Sequence, residues 1–452
     1  MSFPAYPEYK DSGVEWLGQV PQHWSLSRIK HAAHVIMGQS PTSDSCDENA
    51  SGPPFLQGNA DFGRAYPTPQ VFCSQPTKLA RPNDLLLSVR APVGECNIAD
   101  QQYAIGRGLC ALRPVNWRVT PGFFFRLLTS LTPLLDAVAT GSTYKAVSTD
   151  DVENAPIPHP PLTEQQCIAA FLDRETARID ALIAEQQRLI ELLNEKRQAV
   201  ISHAVTKGLD PNVPMKDSGV EWLGEVPAHW SILKLKYVSP EITVGIVVEP
   251  SRYYADEGVP ALRSINVGVG YIDTDNLVRI SPESHNKLSK TQIYEGDLVA
   301  VRSGIPGTTA IVPPEFNESN CIDLIIIRKP RNNSEYFLSW YLGSNAAIQQ
   351  IAEGSGGAIQ QHFNVAKASE LLVILPCQKE QHRIACYLKT KISMIDSLIK
   401  DSERSIAFLK ERRAALISAA VTGKIDVRNW QPQDSASEDE ALAVAASNAS
   451  SY

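Results

Sequence analysis

Residues 10–25 read KDSGVEWLGQVPQHWS, and residues 216–231 read KDSGVEWLGEVPAHWS. Fourteen of the sixteen positions are identical at an offset of 206. A passage repeated once at this distance marks an internal duplication, and the duplication organises the whole chain. A second correspondence follows downstream. PPLTEQQCIAAFLDRETARIDALI at 160–183 aligns with PCQKEQHRIACYLKTKISMIDSLI at 376–399, now at an offset of 216, and EKRQAVISHAVTKGLD at 195–210 continues against ERRAALISAAVTGKID at 411–426. Each half therefore holds the KDSGVEWLG passage, a body, and a long segment opened by Glu-Gln.

The bodies, about 31–140 and 237–356, differ in length by ten residues, the difference between the two offsets. Only sparse landmarks recur in both. DLLLSVRAPVG at 84–94 resembles DLVAVRSGIPG at 297–307, and GPPFLQGN at 52–59 resembles GVPALRSIN at 258–266. Short β-branched and aromatic runs broken by Gly, Pro, Asn and Asp predict twisted strands with substantial loops. The frame repeats while the bodies vary.

The Glu-Gln segments have helical period. Pro160 and Pro161 close the preceding segment, and Thr163 is the expected N-cap before Glu164. Leu172, Ile179, Leu193 and Val200 fall in one heptad register, and Ile168, Leu182 and Leu189 in another. The second copy gives Leu388, Ile395, Leu409 and Leu416 with Ile384, Leu398 and Ser405. Gln186 and Ser402 coincide as polar positions in the seam, where a polar layer commonly fixes register. Two helices of about 44 residues would each extend about 65 Å. The duplication predicts that they pair antiparallel about a pseudo-twofold axis, with a body at either end. The expected fold is α+β: two α/β domains with twisted sheets, separated by a long antiparallel two-helix coiled coil. The predicted boundaries are 1–158 and 208–374 for the two domains, 159–207 and 375–426 for the helices, and 427–452 for a disordered acidic tail.

Whole-chain numbers agree with several domains. The chain has 452 residues, 43% hydrophobic and 20% charged, with a formal net charge of −8. No apolar run is long enough for a membrane span, and the N-terminus lacks the basic and apolar regions of a secretory signal. A cytoplasmic protein is expected. The eight cysteines are scattered without a CxxC pair or His partner at finger spacing, which predicts reduced thiols rather than zinc or disulfides. Asp434, Glu438, Asp439 and Glu440 in the tail account for half of the net charge of −8.

The constellation resembles the specificity (S) subunit of type I restriction-modification systems. SGVEWLGxVPxHW opens each half, and GSTYKAVSTDDVENAPIPHPPLTEQQ at 141–166 and GSGGAIQQHFNVAKASELLVILPCQKEQ at 354–381 resemble the family's loop leading into its long helix. The likeness covers about 1–426. It implies a non-enzymatic subunit in which each target-recognition domain binds one half of a bipartite, asymmetric double-stranded DNA site and the helix pair sets the spacer. It further implies two methyltransferase (M) subunits docked on the scaffold and two restriction (R) subunits. Cofactors of the complex, S-adenosylmethionine, ATP and magnesium, would belong to those partners, with none on this chain.

The residues themselves carry no catalytic motif. Gly52-Pro53-Pro54-Phe55 is the nearest string to an adenine methyltransferase motif, and its glycine offers no side chain to hold the amino group. Gly423-Lys424 is followed by Ile425 rather than the Ser or Thr of a phosphate loop, and NVGVG at 266–270 runs into strand-like residues instead of a helix. Pro7-Glu8-Tyr9-Lys10 lacks the upstream acidic partner of a nuclease core. His23 and His229 sit in the repeated frame, where a structural hydrogen bond is expected. Base reading calls for Arg or Lys toward guanine and Asn or Gln toward adenine, and phosphate contact for donors and positive charge. The candidates in the first body are Gln57, Asn59, Arg64, Arg90, Arg107, Ser142, Tyr144 and Lys145. In the second they are Arg263, Asn266, Arg302, Ser303, Gln360, Gln361 and His362. Each also has a plainer reading as a surface or turn residue, and Arg90 and Arg302, alike in context, suit a shared phosphate or framework role.

Overall fold

The computed structural model describes residues 3–48, 51–139, 145–220, 222–353 and 363–430. The chain divides into two compact units, residues 1–185 with 405–452 and residues 186–404. The division cuts both long helices, so each unit comprises one body, half of the first helix and half of the second. This differs from the linear partition expected from the sequence.

In the first unit the strands are β1 (Ala33–Met37), β2 (Phe55–Leu56), β3 (Leu79–Ala80), β4 (Leu85–Ser88), β5 (Cys96–Ile98), β6 (Tyr103–Ile105) and β7 (Leu109–Pro114). They form an antiparallel sheet in the order β5-β4-β7-β1 and a second sheet β2-β6-β3 in which β2 and β6 run parallel. The second unit repeats the plan with β8 (Ile242–Val244), β9 (Val259–Leu262), β10 (Gln292–Ile293), β11 (Leu298–Val301), β12 (Thr309–Ile311), β13 (Ser319–Cys321) and β14 (Leu324–Ile327). Its sheets run β8-β14-β11-β12 and, with two added strands at Tyr254–Ala255 and Val278–Ile280 on one edge, β9-β13-β10. The two sparse landmarks fall on equivalent strands, β4 with β11 and β2 with β9.

Side chains alternate across a strand, and both faces of the central sheet are covered. Leu85 and Leu87 join one cluster with Phe123, Phe124 and Leu127 of α1 (Pro121–Ser130), while Leu86 joins a second with Leu56, Tyr103 and Ile105. Leu85, Leu86 and Leu87 are therefore apolar in succession because the strand is buried on both sides. In the second unit Leu298 and Ala300 pack with Phe337 and Leu338, while Val299 and Val301 face the other way. Each fully buried aliphatic or aromatic side chain here contributes about 1.5–3 kcal/mol.

The long helices are α2 (Leu162–Lys207), 46 residues, and, following α3 (Glu335–Leu342), α4 (Gln378–Val421), 44 residues. The expected cap at Thr163 is not the helix start. Pro161 already accepts from Gln165 N at 2.9 Å, which places Thr163 within the first turn. Pairing is antiparallel within each unit. Asp180 of α2 meets Arg413 of α4 in the first unit, while Phe171, nearer the start of α2, meets Trp430, beyond the end of α4. In the second unit Arg197 meets Asp396.

One of the two expected heptad registers holds. Leu172, Ile179, Leu388 and Ile395 are buried, as is Ser402 in its polar layer, and Gln186, Val200, Leu409 and Leu416 are half-buried. The companion register holds only in the first turns, where Ile168 and Ile384 are buried; beyond them Leu182, Leu189 and Leu398 are exposed to 47%, 41% and 53%, and Ser405 is exposed as well. The seam instead takes positions four residues after the first register: Thr176, Ile183, Ile190, Arg197 and Ala204, and in the second copy Ile392, Ile399, Ile406, Arg413 and Ala420. All ten are buried or half-buried. A seam alternates steps of three and four residues, so the same leucine row is compatible with a partner on either side. The arginines decide it, because Arg197 and Arg413 occupy equivalent seam positions and each meets an equivalent aspartate, Asp396 and Asp180.

The segment expected to be disordered from 427 begins folded. Val427 is buried and the Trp430 ring packs edge-on against Phe171, with centroids 5.4 Å apart; residues 431–452 lie outside the described set. All eight cysteines are free thiols. Among the described residues no helix is long and apolar enough to cross a membrane.

Candidate nucleic-acid interface

The repeated passage folds identically twice. Tyr9–Asp11 pairs with Gln19–Pro21, and Met215–Asp217 with Glu225–Pro227, in the same register. The intervening turn explains the repeated DSG. Asp11 Oδ1 accepts from Gly13 N and Asp217 Oδ1 from Gly219 N, both at 2.9 Å, and Gly13 and Gly219 have φ of +67° and +74°. Glycine adopts that backbone without the steric cost of a β-carbon. The hairpin then delivers Leu17, Val20 and Trp24, and likewise Leu223, Val226 and Trp230, into the core of its own unit.

Glu-Gln at the start of each long helix ties three elements together. His23 Nε2 lies 2.9 Å from Glu164 Oε2, and His229 Nε2 2.9 Å from Glu380 Oε2. The structural bond expected of both histidines is present. Tyr6 donates its hydroxyl to the other Glu164 oxygen, and burial beside that carboxylate holds the phenol well above its ordinary range. In the second unit Trp230 Nε1 donates to Glu380 at 3.2 Å instead. The neighbouring glutamine turns the other way. Gln165 Oε1 accepts from Thr120 N at 2.8 Å and Gln381 Oε1 from Ser334 N at 2.7 Å, which satisfies a backbone donor at the start of α1 and of α3. Their amide nitrogens donate to Pro160 O and Pro376 O, each at 2.9 Å. The dipeptide thus fixes the hairpin and the body's own helix to one end of the long helix.

The candidate DNA-contacting residues fall into three groups. Several hold the fold together. Arg64 donates to Asp180 of α2 at 2.7 Å, Asn59 to Glu95 at 2.7 Å, and Lys145 pairs with Asp136 at 3.1 Å. Arg263 donates to Asn276 O at 2.6 Å, and Arg302 pairs with Asp323 at 2.8 Å, with the Ser303 hydroxyl 3.4 Å from the same carboxylate. Asn266 is a correction. It is wholly buried, with its amide spent on Asp273 O, Asp275 O and Arg263 N, and no base can reach it.

A second group, Arg90, Arg107 and Gln57, is exposed, and only Gln57 has a side-chain partner among the described residues. Arg90 extends from a bridge with Ala146, which brings it alongside Lys145, and its guanidinium has no partner among the described residues. Arg107 and Gln57 come together because β2 and β6 run parallel, with Leu56 opposite Ile105. Gly106 and Gly108, on either side of Arg107, press against Gln57 so closely that a β-carbon at either would collide with it. Ser40 Oγ bonds the Gln57 amide at 3.0 Å and accepts from Arg107 N at 3.4 Å. These residues border an open hollow of about 500 Å³ that also takes in Thr42 and Asp61. Ser40 and Asp61 carry no local signal of this role, and the glycines flanking Arg107 are the one clue to it. Ser142, Tyr144, Gln360, Gln361 and His362 form the third group, outside the described residues. No cluster of metal-binding side chains occurs among the described residues.

A duplicated frame that presents two differing bodies has known counterparts. Residues 21–192 match the family described as Type I restriction modification DNA specificity domain. The MjaX specificity subunit of Methanocaldococcus jannaschii is 35% identical over 201 residues, which are 44% of this chain and about half (46%) of that relative. The type I restriction enzyme EcoBI specificity subunit of Escherichia coli is 21% identical over 446 residues, 94% of this chain and 91% of the relative. A solved chain from work on complex assembly and conformational transition of the type I R-M system shares the fold with a TM-score of 0.68 at 19% identity, over 89% of this chain and 98% of that one. With the repeated hairpin, the Glu-Gln clamp and the paired helices present in both halves, the chain is similar to type I restriction-modification specificity subunits, whose domain its residues 21–192 match.

Proposed function

We infer that this chain specifies the DNA sequence on which a type I restriction-modification complex acts, and has no catalytic activity of its own. Each body binds one half of a bipartite, asymmetric site, and the paired helices set the number of unread base pairs between the halves. Adenine N6 methylation and ATP-dependent restriction are carried out by partner subunits, two methyltransferase and two restriction subunits, which bring S-adenosylmethionine, ATP and magnesium. The observation that carries this reading is the contrast between halves. The mount makes the same hydrogen bonds in both halves, His to Glu and Gln to helix start, while the exposed polar residues of the bodies differ.

Partner docking has support on the long helices. Leu182 and Leu398 are equivalent in the duplication, as are Leu192 and Phe408, and these four are exposed to 47%, 53%, 51% and 64%. Apolar side chains left outside the seam at matching positions suit two copies of one partner. The acidic balance adds a quantitative expectation. Affinity for DNA grows with each phosphate neutralised, and a chain of net charge −8 supplies little of that alone. In a mobility shift at physiological salt the isolated chain binds its site weakly, and addition of the methyltransferase subunit raises affinity. Equal, high affinity with and without that subunit contradicts the reading.

A further inference from the structure

The hollow in the first body holds two opposite charges that do not meet. Arg107 is exposed and Asp61 half-buried on the same 500 Å³ concavity. Neither side chain has a hydrogen-bond or ion-pair partner among the described residues, although every other charged candidate of this body except Arg90 is paired. The loop is built to keep Arg107 where it is. Gly106 N donates to Leu56 O at 2.8 Å and Gly108 N to Gln57 O at 3.1 Å, so the backbone on both sides is pinned to β2 and its extension. Gln57 is held in turn by Ser40, whose own backbone neighbour Gln39 donates to Ile105 O at 3.0 Å. A rigid seat beneath a free guanidinium, with a free carboxylate on the same hollow, suits a ligand that offers acceptors to one and a donor to the other.

We propose that this hollow reads a single G·C base pair from the major groove, with Arg107 donating to guanine O6 and N7 and Asp61 accepting from cytosine N4. This rests on the reading of the chain as a DNA-sequence reader and adds which residues choose a base. The G·C edge presents two adjacent acceptors on guanine and a donor on cytosine. The A·T edge has one purine acceptor beside a donor, which leaves half of the guanidinium fork unmatched and faces it with an N–H group. Asp61 contributes by exclusion as well, since a carboxylate repels phosphate and rejects an acceptor such as thymine O4. Gln57, tethered on Ser40, lies beside the arginine and addresses the neighbouring pair.

The test uses the whole methyltransferase complex, reconstituted with the wild-type chain, Arg107→Gln or Asp61→Asn, in cells whose genome is then sequenced for methylated adenine. Wild type yields one bipartite motif. Arg107→Gln is expected to relax or switch one G·C position in one half of that motif, and Asp61→Asn to relax the same position, with the other half unchanged. Discrimination at that position falls by about 5- to 150-fold. An unaltered motif with Arg107→Gln, or a uniform loss of methylation at all sites with no change of motif, overturns the proposal and assigns Arg107 to phosphate contact or to neither. Should a variant methylate nothing, mobility shifts of its complex on duplexes substituted at each half-site position decide the matter. Loss of preference at one position supports the proposal, and equal loss on all duplexes refutes it. If the wild-type complex gives no bipartite motif, it is the proposed function that fails.

Discussion

Gln381→Met isolates the contribution of the clamp between body and helix. Methionine keeps nearly the volume and helix propensity of glutamine while removing every polar atom. Gln381 is 1% exposed, accepts from Ser334 N at 2.7 Å and donates to Pro376 O at 2.9 Å and to Asn333 Oδ1 at 2.8 Å. The Pro376 carbonyl is buried and stays unsatisfied, whereas Ser334 N and Asn333 are half-buried and partly recover with water. A buried group stripped of its partner costs about 1–3 kcal/mol. One full and two partial losses give about 2–4 kcal/mol, concentrated at the start of α3. At about 1.4 kcal/mol per tenfold, amide hydrogen exchange over 334–342 accelerates roughly 30- to 700-fold, measured by mass spectrometry on the intact chain. Exchange over 120–130 stays as in wild type, because the equivalent clamp there is Gln165. The reciprocal Gln165→Met transfers the effect to 120–130. Unchanged exchange in 334–342, or equal acceleration in both helices from one substitution, refutes the clamp as the local determinant.

Asp180→Asn removes the carboxylate that Arg413 and Arg64 share. Both guanidinium groups keep contact with water, so the expected loss is about 1 kcal/mol, seen as a lower thermal midpoint, and Arg64→Ala alone changes it far less. The thiols report burial and pH together. Cys377 and Cys386 are exposed and alkylate first at pH 8, while Cys73, Cys110 and Cys321 react only on unfolding; early labelling of Cys110 contradicts the core packing. Burial pushes the Cys110 thiol up from 9.0 to about 12. Below 9 both folded and unfolded states keep the proton. Between about 9 and about 12 the unfolded thiol ionises while the folded one does not, so stability falls across that window, and Cys110→Ala flattens that part of the pH profile in denaturant unfolding.

The duplication and the long helices were legible because near-identity and heptad spacing survive in a linear text. One heptad row was read correctly and its companion was not. Leu182 and Leu189 drew the assignment one position away from a seam that contains Thr176, Arg197 and Ala204, and nothing local distinguishes a seam arginine from a surface one. The partner aspartates lie some two hundred residues away, so only the folded pairing identifies them. The clamp was half visible: the histidines were assigned to structure, yet the role of Gln165 and Gln381 depends on α1 and α3 arriving beside them. Among the polar candidates, charge and residue type carried no information about commitment. Arg64 and Arg302 are engaged by aspartates and Asn266 is buried, whereas Arg107 stands free, and these differences arise from strand pairings between segments far apart in the chain.

Exchange of the first body separates the two half-sites. Residues 31–140 are replaced by the corresponding body of a type I restriction enzyme specificity subunit, the chimaera is expressed with the methyltransferase subunit, and methylated adenines are mapped genome-wide. The account predicts a bipartite motif in which one half changes and the other half and the spacing remain those of the parent. A motif identical to that of the parent, or one changed in both halves, contradicts it.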